Sequence, residues 1–296
     1  MPAKEMIQAQ DLGLLTNLLE QASSIGGIRV ADVGQGDAIC VLDDDKKPVL
    51  WIDYGGFQSS PFKGMAPATR ILAVDNALPV AGTPIMLTHW DEDHWASAVP
   101  GAQAVETARW LVPRQWTSPS AVRLSTQIKA IECIPPALEH GPVCFVAANG
   151  DQLWWEKLRP FRRDARTENC NRTGVAFSLV KAATGKVIFL PGDAPLHLPQ
   201  HYRDHAKAKL EMRGLVAFHH GAGTHWTGET RAFLERWRRS SFAQTIVFSC
   251  GDPNRDEHPV TSNYDQAYPD AFYPKAEFQR TPQSRHGPVA PTYILF

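Results

Sequence analysis

The amino-acid sequence predicts a mixed α/β fold, in which short strands form sheets and amphipathic helices cover them. Between residues 28 and 54, three runs rich in β-forming residues are separated by turn-forming segments, which is typical of an antiparallel meander. Further along, apolar strands alternate with stretches of helical periodicity, a pattern that favours a layered α/β domain. The 296 residues, 43% of them hydrophobic, suffice for one buried core, and no segment indicates an interdomain linker.

The N-terminal segment predicts a helical extension. Residues 5–22 place apolar side chains at roughly helical spacing, although Gly13 weakens the pattern. We therefore expect residues 1–27 to form a helical extension in front of a domain that spans residues 28–296. We expect the apolar face of this helix to pack on the domain, with a docking surface for a protein partner as the alternative.

The elements after the meander follow in chain order. A helix near residues 66–77 leads to the apolar strand 84–89, which runs directly into a segment rich in metal-binding residue types. The second half of the chain repeats this plan, and its tail, residues 259–290, shows little periodicity. The further predicted strands lie near 109–112, 143–147, 152–155, 174–180, 186–193, 215–220 and 245–251, and the further helices near 119–131, 200–213 and 228–239.

Composition and charge exclude several classes of protein. The chain has no run of about 18 apolar residues and no basic, then apolar, leader at its start, so we expect a cytoplasmic protein without a membrane span. The five cysteines form no Cys-x-x-Cys pair, which favours reduced thiols over disulfides or a thiolate zinc site. With 30 Lys and Arg against 31 Asp and Glu, binding of duplex nucleic acid through net charge alone is not expected.

The segment HWDEDH carries the strongest functional signal. Its imidazoles and carboxylates, His89, Asp91, Asp93 and His94, follow an apolar strand directly, and this density of ligand types predicts a metal site. An acidic surface turn that caps a helix is the alternative interpretation. Further ligand types near the ends of later strands weaken that alternative, because strand ends on one side of a sheet converge. They are Asn171, Asp193, His219, His220 and His258.

A site with two metal ions accounts for these residues together. Asp193 ends a predicted strand and would bridge two cations about 3.5–4 Å apart. His89 and Asp91 would hold one cation, and Asp93 and His94 would hold the other together with a further histidine. Water activated by such a pair of cations is an effective nucleophile near neutral pH.

The further histidine is either His219 or His220. Adjacent strand residues point to opposite faces, so the sequence does not decide between the two. We predict that Asp93, His220 and His258 are catalytic residues, with a histidine assisting the attack of water or the departure of the leaving group.

Six segments of the chain occur in the order in which a known family has them. They are ADVGQGDAICV (31–41), WIDYGG (51–56), LTHWDEDHWASA (87–98), LPGDA (190–194), FHHG (218–221) and CGDPNRDEHP (250–259). On these residues the chain resembles the metallo-β-lactamase superfamily, and within it the hydrolase domain of the ComEC-type DNA-uptake competence protein. The resemblance spans about residues 28–260 and implies a four-layer αββα sandwich with metal ions at the edges of its sheets.

The resemblance implies roles for individual residues. The segment 89–94 matches the family's His-x-Asp-x-Asp-His motif without gaps, and Asp193 matches its bridging carboxylate. Asp53 would hold the second ring N–H of a ligand histidine, and Asp32 would be a supporting residue of the same kind. Positions that would contact substrate or line the floor of the site are Gln35 and Asp37 in DVGQGD, Asn171 near the third motif, and Asn254 beside His258 in the late motif.

Several departures from the family concern the substrate more than the metals. Trp95 and Ala96 replace a glycine-rich step, no serine follows FHHG, and Glu257 precedes His258 where glycine is common. The carboxylate Asp91 and the amide Asn171 make the first metal position rich in oxygen, so we expect manganese alongside zinc as the cation.

The predicted activity is metal-dependent hydrolysis of a phosphodiester in a nucleic acid or nucleotide. Two cations suit this reaction because they stabilise the attacking and the leaving oxygen. A basic stretch with interleaved aromatic residues, 154–166, would hold phosphates, and we predict substrate contacts from its Arg162 and Arg163. A lactone, thioester or other ester hydrolase with the same metals is the first alternative, and a catalytically silent metal-binding module in a complex is the second.

Overall fold

The computed structural model is a mixed α/β protein, as the sequence predicts. It describes residues 5–6, 22–56, 60–80, 82–224, 226–237, 244–250, 259–267, 277–280 and 291–296. Within these ranges the chain forms two seven-stranded sheets, one two-stranded ribbon and six α-helices. Among the described residues, no helix has the length and apolar character needed to cross a bilayer.

The strands, in chain order, are β1 (Glu5–Met6), β2 (Gly27–Val30), β3 (Ile39–Leu42), β4 (Pro48–Ile52), β5 (Ile85–Met86), β6 (Arg109–Val112), β7 (Trp116–Thr117), β8 (Ala130–Cys133), β9 (Pro142–Val146), β10 (Gln152–Lys157), β11 (Val175–Lys181), β12 (Lys186–Leu190), β13 (Glu211–Val216), β14 (Thr245–Phe248), β15 (Glu277–Arg280) and β16 (Thr292–Leu295). The helices are α1 (Pro67–Ala77), α2 (Gln103–Glu106), α3 (Pro119–Gln127), α4 (Gln200–Lys207), α5 (Gly228–Trp237) and α6 (Thr261–Ala267).

The two large sheets share one plan. The first has the order β16-β2-β3-β4-β5-β6-β8, antiparallel up to β4 and parallel from there on. The second has the order β15-β14-β13-β12-β11-β10-β9, parallel from β12 to β15 and antiparallel from β9 to β12. In each sheet, the parallel neighbouring strands therefore end at the same edge. Loops that carry functional residues often lie at such an edge.

Buried apolar side chains form three clusters. One combines side chains from both sheets, with Ile39 and Met86 from the first and Trp155 and Phe177 from the second. Another joins the first sheet to α1, α2 and α3, and the last joins the second sheet to α4, α5 and α6. Both faces of each large sheet are thus covered by apolar packing, the dominant stabilising term in folding.

The strand β3 shows how the sequence encodes this packing. Its side chains alternate between two clusters, with Ile39 and Val41 in the one shared by the sheets and Cys40 and Leu42 in the one that contains α1. All four are buried, because a strand covered on both faces needs apolar residues at every position. This explains why the sequence shows continuous apolar runs instead of a polar and apolar alternation.

Several sequence predictions are confirmed. The meander is the antiparallel set β2, β3 and β4, and the predicted helix near 66–77 is α1. The strands predicted near 174–180 and 186–193 are β11 and β12, which form an antiparallel hairpin.

Other predictions were wrong in their extent. The helix predicted over 200–213 ends at Lys207, because Lys209 adopts a positive φ of 57° and Glu211 already begins β13. The helix predicted over 119–131 ends at Gln127, and the next residues form β8, which pairs with β6. In both cases, residues that local periodicity assigns to a helix pair with another strand of the sheet instead.

The two ends of the chain also differ from the local pattern. Glu5–Met6 pairs with Trp116–Thr117 as a strand instead of beginning a helix, and residues 7–21 of the predicted extension lie outside the described residues. The C-terminal Thr292–Leu295 pairs with β2. Non-local pairing of this kind leaves no short-range signal in the sequence.

Candidate metal centre

The ligand-type residues of the two sheets meet at one edge. Asp53 directly follows β4 and His89 follows β5 in the first sheet, whereas Asp193 follows β12 and His220 follows β13 in the second. A backbone hydrogen bond of 3.1 Å from His219 N–H to the Gly192 carbonyl ties the last two loops together. Parallel neighbouring strands thus deliver these side chains to a common space.

The turn Glu92–His94 is a 3-10 helical turn held against the loop after β4. Tyr54 N–H donates to the His94 carbonyl at 2.9 Å, and Gly56 N–H donates to the Asp93 carbonyl at 3.1 Å. A Cβ on Gly55 would lie 1.8 Å from that same Asp93 carbonyl oxygen, so only glycine fits. This close backbone approach positions Asp93 and His94.

The first group of donor atoms comprises His89, Asp91 and Cys170. His89 Nε2 lies 3.5 Å from Asp91 Oδ2, and Cys170 Sγ lies 3.0 Å from Asp91 Oδ1. One donor atom from each of the three residues falls within 4.8 Å of the others. His89 is buried, while the Asp91 side chain is 47% exposed, so this group opens to solvent. We call it the first position.

The second group comprises Asp93, His94 and His220. His220 Nε2 lies 3.1 Å from Asp93 Oδ2, and His94 Nε2 lies 3.9 Å from Asp93 Oδ1. One donor atom from each residue again falls within 4.8 Å of the others. Both imidazoles are fully buried. We call this group the second position.

Asp193 lies between the two positions. Its Oδ2 is 3.5 Å from His89 Nε2, while its Oδ1 is 3.2 Å from His94 Nε2 and 3.7 Å from His220 Nε2. Each carboxylate oxygen therefore faces one group of donors. A carboxylate in this arrangement can bind a cation through each oxygen, which is how a bridging ligand works in sites with two metals.

Three buried polar atoms of this centre lie within 3.5 Å of an oppositely charged atom but make no hydrogen bond of good geometry with any described residue. They are His89 Nε2, His94 Nε2 and Asp193 Oδ1. A buried polar atom without a hydrogen bond costs free energy, so native proteins rarely leave several together. Imidazole and carboxylate lone pairs that face a common space are what a divalent cation requires, and the donor set fits two such cations.

Hydrogen bonds behind the ligands set the ring orientations. Asp53 Oδ2 lies 2.7 Å from His94 Nδ1 and accepts from Thr88 Oγ1 at 2.7 Å. Asp53 Oδ1 accepts from Thr88 N–H at 2.6 Å, and Thr88 Oγ1 lies 3.0 Å from His89 Nδ1. The Nδ1 atoms of both histidines thus face the protein, and the Nε2 atoms face the centre.

A similar contact orients His220. Its Nδ1 lies 3.1 Å from Ser249 Oγ, and Ser249 in turn donates to Asp37. Asp37 is buried, and burial raises the pKa of its carboxyl. Sequence reasoning missed Thr88 and Ser249, because isolated hydroxyl residues after strands carry no motif of their own.

The geometry of the centre distinguishes His219 from His220. His220 is buried and faces Asp93 and Asp193, whereas the His219 side chain is 25% exposed, with Nε2 at 3.6 Å from Asp193 Oδ2. The two residues have positive φ angles of 47° and 54°, so neither is in a strand conformation. His220 therefore belongs to the second position, and His219 lies at the solvent side.

Burial and the neighbouring charges shift the pKa values of the side chains in the centre in opposite directions. Burial by itself would lower the pKa of the imidazoles, but the surrounding carboxylates raise the pKa of His89 and of His220 to about 9 and that of His94 well above its usual value. Burial would raise the pKa of Asp193, but the three histidines hold it well below its usual value. Cation binding at such a centre must displace protons.

Other residues predicted for the site lie around this centre. Asn171 Nδ2 donates to Asp193 Oδ2 at 3.3 Å. Asp32 and Gln35 are buried in the loop before β3, where Asp32 accepts from Gly34 N–H at 3.3 Å. Asn254 and His258 lie outside the described residues.

The basic stretch 154–166 differs from the sequence interpretation in part. Trp155 is completely buried in the core, and Lys157 is buried and donates to the Arg159 and Thr173 carbonyls, so neither reaches a substrate. Arg162 is exposed and pairs with Asp164 at 2.9 Å, and Arg163 is exposed. Both faces of the sheet that contains β10 are covered, and a strand in such a sheet buries its side chains. This explains why Trp155 and Lys157 are buried.

Sequence reasoning also missed Cys170. The absence of a Cys-x-x-Cys pair favours an inert thiol, yet the chain brings Cys170 beside His89 and Asp91. Its neighbour Asn171, already a candidate site residue in the sequence, was the available signal.

Comparisons with known proteins give distant structural likenesses. No protein-family model and no curated protein matches the chain. The chain is similar to a mutant of CmlA beta-hydroxylase, with 10% identity and a TM-score of 0.41, over 90% of this chain and 53% of that one. It is also similar to a protein of unknown function from Enterococcus faecalis, with 10% identity and a TM-score of 0.36, over 89% of this chain and 78% of that one. The chain thus spans about half the length of the hydroxylase, and similarity of this degree assigns it no activity.

Proposed function

We propose that the chain is a metal-dependent hydrolase of the metallo-β-lactamase fold that acts on phosphodiesters with two divalent cations, zinc or manganese. The observation that carries this proposal is the position of Asp193, whose two carboxylate oxygens face the first and the second position separately. Two bound cations supply an activated water and neutralise charge at the scissile group.

A four-layer αββα sandwich is part of the proposal. One apolar cluster draws side chains from both large sheets, and the other two join each sheet to its own helices. This distribution supports two sheets packed face to face with helices outside, in which the metal centre lies at the sheet edge. Together with the ordered motifs, it supports the resemblance to the ComEC-type hydrolase domain.

The chain's own residues have separate tasks in this proposal. His89 and Asp91 would hold the cation at the first position, Asp93 and His94 would hold the other with His220, and Asp193 would bind both. Asp53, Thr88 and Ser249 would keep the ring nitrogens pointed at the cations through the hydrogen bonds described above. Fixed ligands of this kind are what allow the cations to act without reorganisation.

The solvent side of the centre supports an accessible substrate site. Asp91 is about half exposed and His219 one-quarter exposed, so a scissile group could approach the first position from solvent. Asn171, adjacent to Asp193, would contact the substrate, and His219 and His258 are the histidines that would assist at the reacting group. The exposed Arg162 and Arg163 would bind flanking phosphates.

Hydrolysis assays on metal-stripped protein test the proposal. The protein is re-supplied with zinc or manganese and offered bis-p-nitrophenyl phosphate, labelled single-stranded DNA, and uncharged ester and lactone substrates. Asp193→Ala removes the central carboxylate, and the matched control Asp204→Ala removes an exposed carboxylate on α4 that pairs with Lys207.

Three outcomes separate the candidate functions. Cation-dependent cleavage of phosphodiesters that is lost in Asp193→Ala and kept in Asp204→Ala supports the proposal. Turnover of uncharged esters alone favours the ester hydrolase, and bound cations without turnover of any substrate favour a metal-binding module. Nucleic acid as substrate and a protein partner at residues 1–27 stay predictions.

A further inference from the structure

We infer that Cys170 is a thiolate ligand at the first position, so that the two positions differ in the cation they select. This inference rests on the proposed metal centre and adds a ligand to it. The first position would then present His89, Asp91, Cys170 and a carboxylate oxygen of Asp193, while the second has imidazole and carboxylate donors from Asp93, His94 and His220 together with the other Asp193 oxygen.

The distances from His89 to its two neighbouring carboxylates fit one tetrahedral cation. Zinc bonds of about 2.0–2.3 Å place tetrahedral donors roughly 3.3–3.8 Å apart. His89 Nε2 lies 3.5 Å from Asp91 Oδ2 and 3.5 Å from Asp193 Oδ2, and Cys170 Sγ lies 3.0 Å from the other oxygen of Asp91. One donor atom from each of His89, Asp91 and Cys170 lies within 4.8 Å of the others, and rotation of the half-exposed Asp91 side chain can adjust its own donor to a shared cation.

The buried nitrogen of His89 is independent support for a ligand at this place. Its Nε2 makes no hydrogen bond with any described residue, although the side chain is only 1% exposed. Thr88 contacts the opposite ring nitrogen, so the ring is held with Nε2 directed at Asp91 and Asp193. An imidazole oriented in this way beside a thiol is a ligand pair that zinc prefers.

The turn that carries Cys170 is tied to the backbone that carries His89. Gln115 Nε2 donates to the Cys170 carbonyl at 2.8 Å and to Thr173 Oγ1 at 2.7 Å, while its Oε1 accepts from Trp90 N–H at 3.2 Å. Val175 N–H, just after the turn, donates to the Thr88 carbonyl at 2.8 Å. These bonds hold the two backbone segments together, so Cys170 is not a loosely placed surface thiol.

Binding of a cation by Cys170 needs no oxidant or reductant. Without a cation, the Cys170 thiol donates to Asp91 Oδ1. When a cation binds, the S–H bond breaks, the proton leaves to solvent, and sulfur and carboxylate both become ligands. Thiolate sulfur is a soft donor that favours zinc, iron or cobalt over manganese and magnesium. The first position is therefore selective for a zinc-like cation, and the second is more permissive.

Cobalt(II) titration of the full-length, metal-stripped protein tests this inference by a signal that does not depend on activity. A cobalt–thiolate bond adds a charge-transfer absorption band in the near ultraviolet. In the wild type, we expect the intensity of this band to stop rising once the thiolate has bound one equivalent of cobalt. It should disappear in Cys170→Ser and persist in the matched control Cys144→Ser, a half-buried thiol in β9 whose Sγ contacts only the Phe145 carbonyl among the contacts described.

Affinity and thiol protection give two further readouts. We expect Cys170→Ser to weaken zinc binding at one of the two positions by about 100-fold or more, because loss of a residue that merely supports a ligand already costs about 10–100-fold. In the wild type, zinc should protect Cys170 from alkylation, as measured by mass spectrometry of the labelled peptide, and leave the extent of Cys144 labelling unchanged. This last measurement needs no variant and so remains decisive if Cys170→Ser does not fold.

Two negative results are distinguishable. Binding of two cobalt ions without a thiolate band, with no protection of Cys170, overturns the inference and leaves the proposed metal centre intact. Failure of the wild-type protein to bind any divalent cation overturns both.

Discussion

Asp53 Oδ2 and His94 Nδ1 lie 2.7 Å apart with both side chains fully buried, and this contact turns the Nε2 atom of His94 towards Asp193. A carboxylate behind a ligand histidine fixes the tautomer and the direction of the ring. The pair joins the edge of the first sheet to the carboxylate supplied by the second.

Asp53→Asn should weaken cation binding at the second position by about 10–100-fold. Asparagine keeps the shape of the side chain and tolerates the positive φ of 60° at this position, so the fold should persist. Its amide cannot accept from Thr88 and His94 as the carboxylate does. Competition with a fluorescent zinc chelator measures the affinity, with Asp204→Asn as control. Equal affinities in wild type and Asp53→Asn would contradict the supporting role of Asp53.

Divalent cations should stabilise the folded protein. His89 Nε2, His94 Nε2 and Asp193 Oδ1 are buried without hydrogen bonds to described residues, and a bound cation satisfies them. At a free cation concentration of 100 times Kd, the stabilisation is about 2.7 kcal/mol. Thermal unfolding with a chelator and with added zinc measures it. Asp193→Asn should show a much smaller shift in Tm, and an equal shift in wild type and variant would place the bound cation elsewhere.

Gly55→Ala should destabilise the protein and disturb the centre together. Its Cβ would lie 1.8 Å from the Asp93 carbonyl oxygen, so the turn Glu92–His94 must move. Forcing an extra methyl group into a packed site costs about 1–3 kcal/mol. The matched control is Gly141→Ala, where an added Cβ meets nothing within 4 Å. Urea unfolding and cation affinity are the two measurements, and a Gly55→Ala variant with wild-type values in both would show that the turn is not constrained there.

Asp151→Asn should lower the free energy of unfolding, and it should do so more at neutral pH than at acidic pH. The buried Asp151 carboxylate accepts from Ile25 N–H at 2.9 Å, from Ala182 N–H at 3.0 Å and from Lys181 Nζ at 2.9 Å. Burial opposes its ionisation, but these donors lower the pKa of Asp151 below its usual value. Replacement should cost about 1.5–3 kcal/mol at neutral pH, since charged hydrogen bonds are lost.

The sign of the pH dependence follows from that lowered pKa. Asp151 stabilises the fold above the unfolded-state pKa of about 3.9, and the contribution is lost as the pH falls through the folded-state value. The difference in the free energy of unfolding between wild type and Asp151→Asn should therefore shrink on acidification. Urea unfolding from neutral pH to about pH 3 measures it, with the exposed Asp45→Asn as control. A difference that stays constant with pH would rule out this linkage.

Arg162→Ala with Arg163→Ala should lower turnover of phosphodiesters and spare that of uncharged esters. Both side chains are exposed, and Arg162 pairs with Asp164. We expect a roughly tenfold loss in kcat/KM, mainly as an increase in KM. Arg231→Ala on α5, which removes an exposed arginine paired with Glu235, is the matched control. Equal losses for charged and uncharged substrates would argue against phosphate contacts.

The local pattern of the sequence was sufficient for much of the fold and for most of the centre. Apolar runs such as β3 and β12 predict strands because both of their faces are buried, and HWDEDH predicts ligands because no ordinary turn needs so many donors. Helix ends were less predictable, as at Lys207, since sheet pairing of the following residues competes with helical propensity.

What the sequence by itself determined are the inner strands of the two large sheets, the mixed α/β class, and the residues HWDEDH and Asp193 as candidate ligands, because these depend on periodicity and on residue types within short windows. Only the tertiary structure decided that His220 and not His219 faces Asp93, and that Cys170 lies beside Asp91. The first depends on backbone angles that turn neighbouring rings apart, and the second on contacts between residues 79 positions apart in the chain. Distances across two packed sheets arise only when both sheets are in place, which is why no local pattern records them.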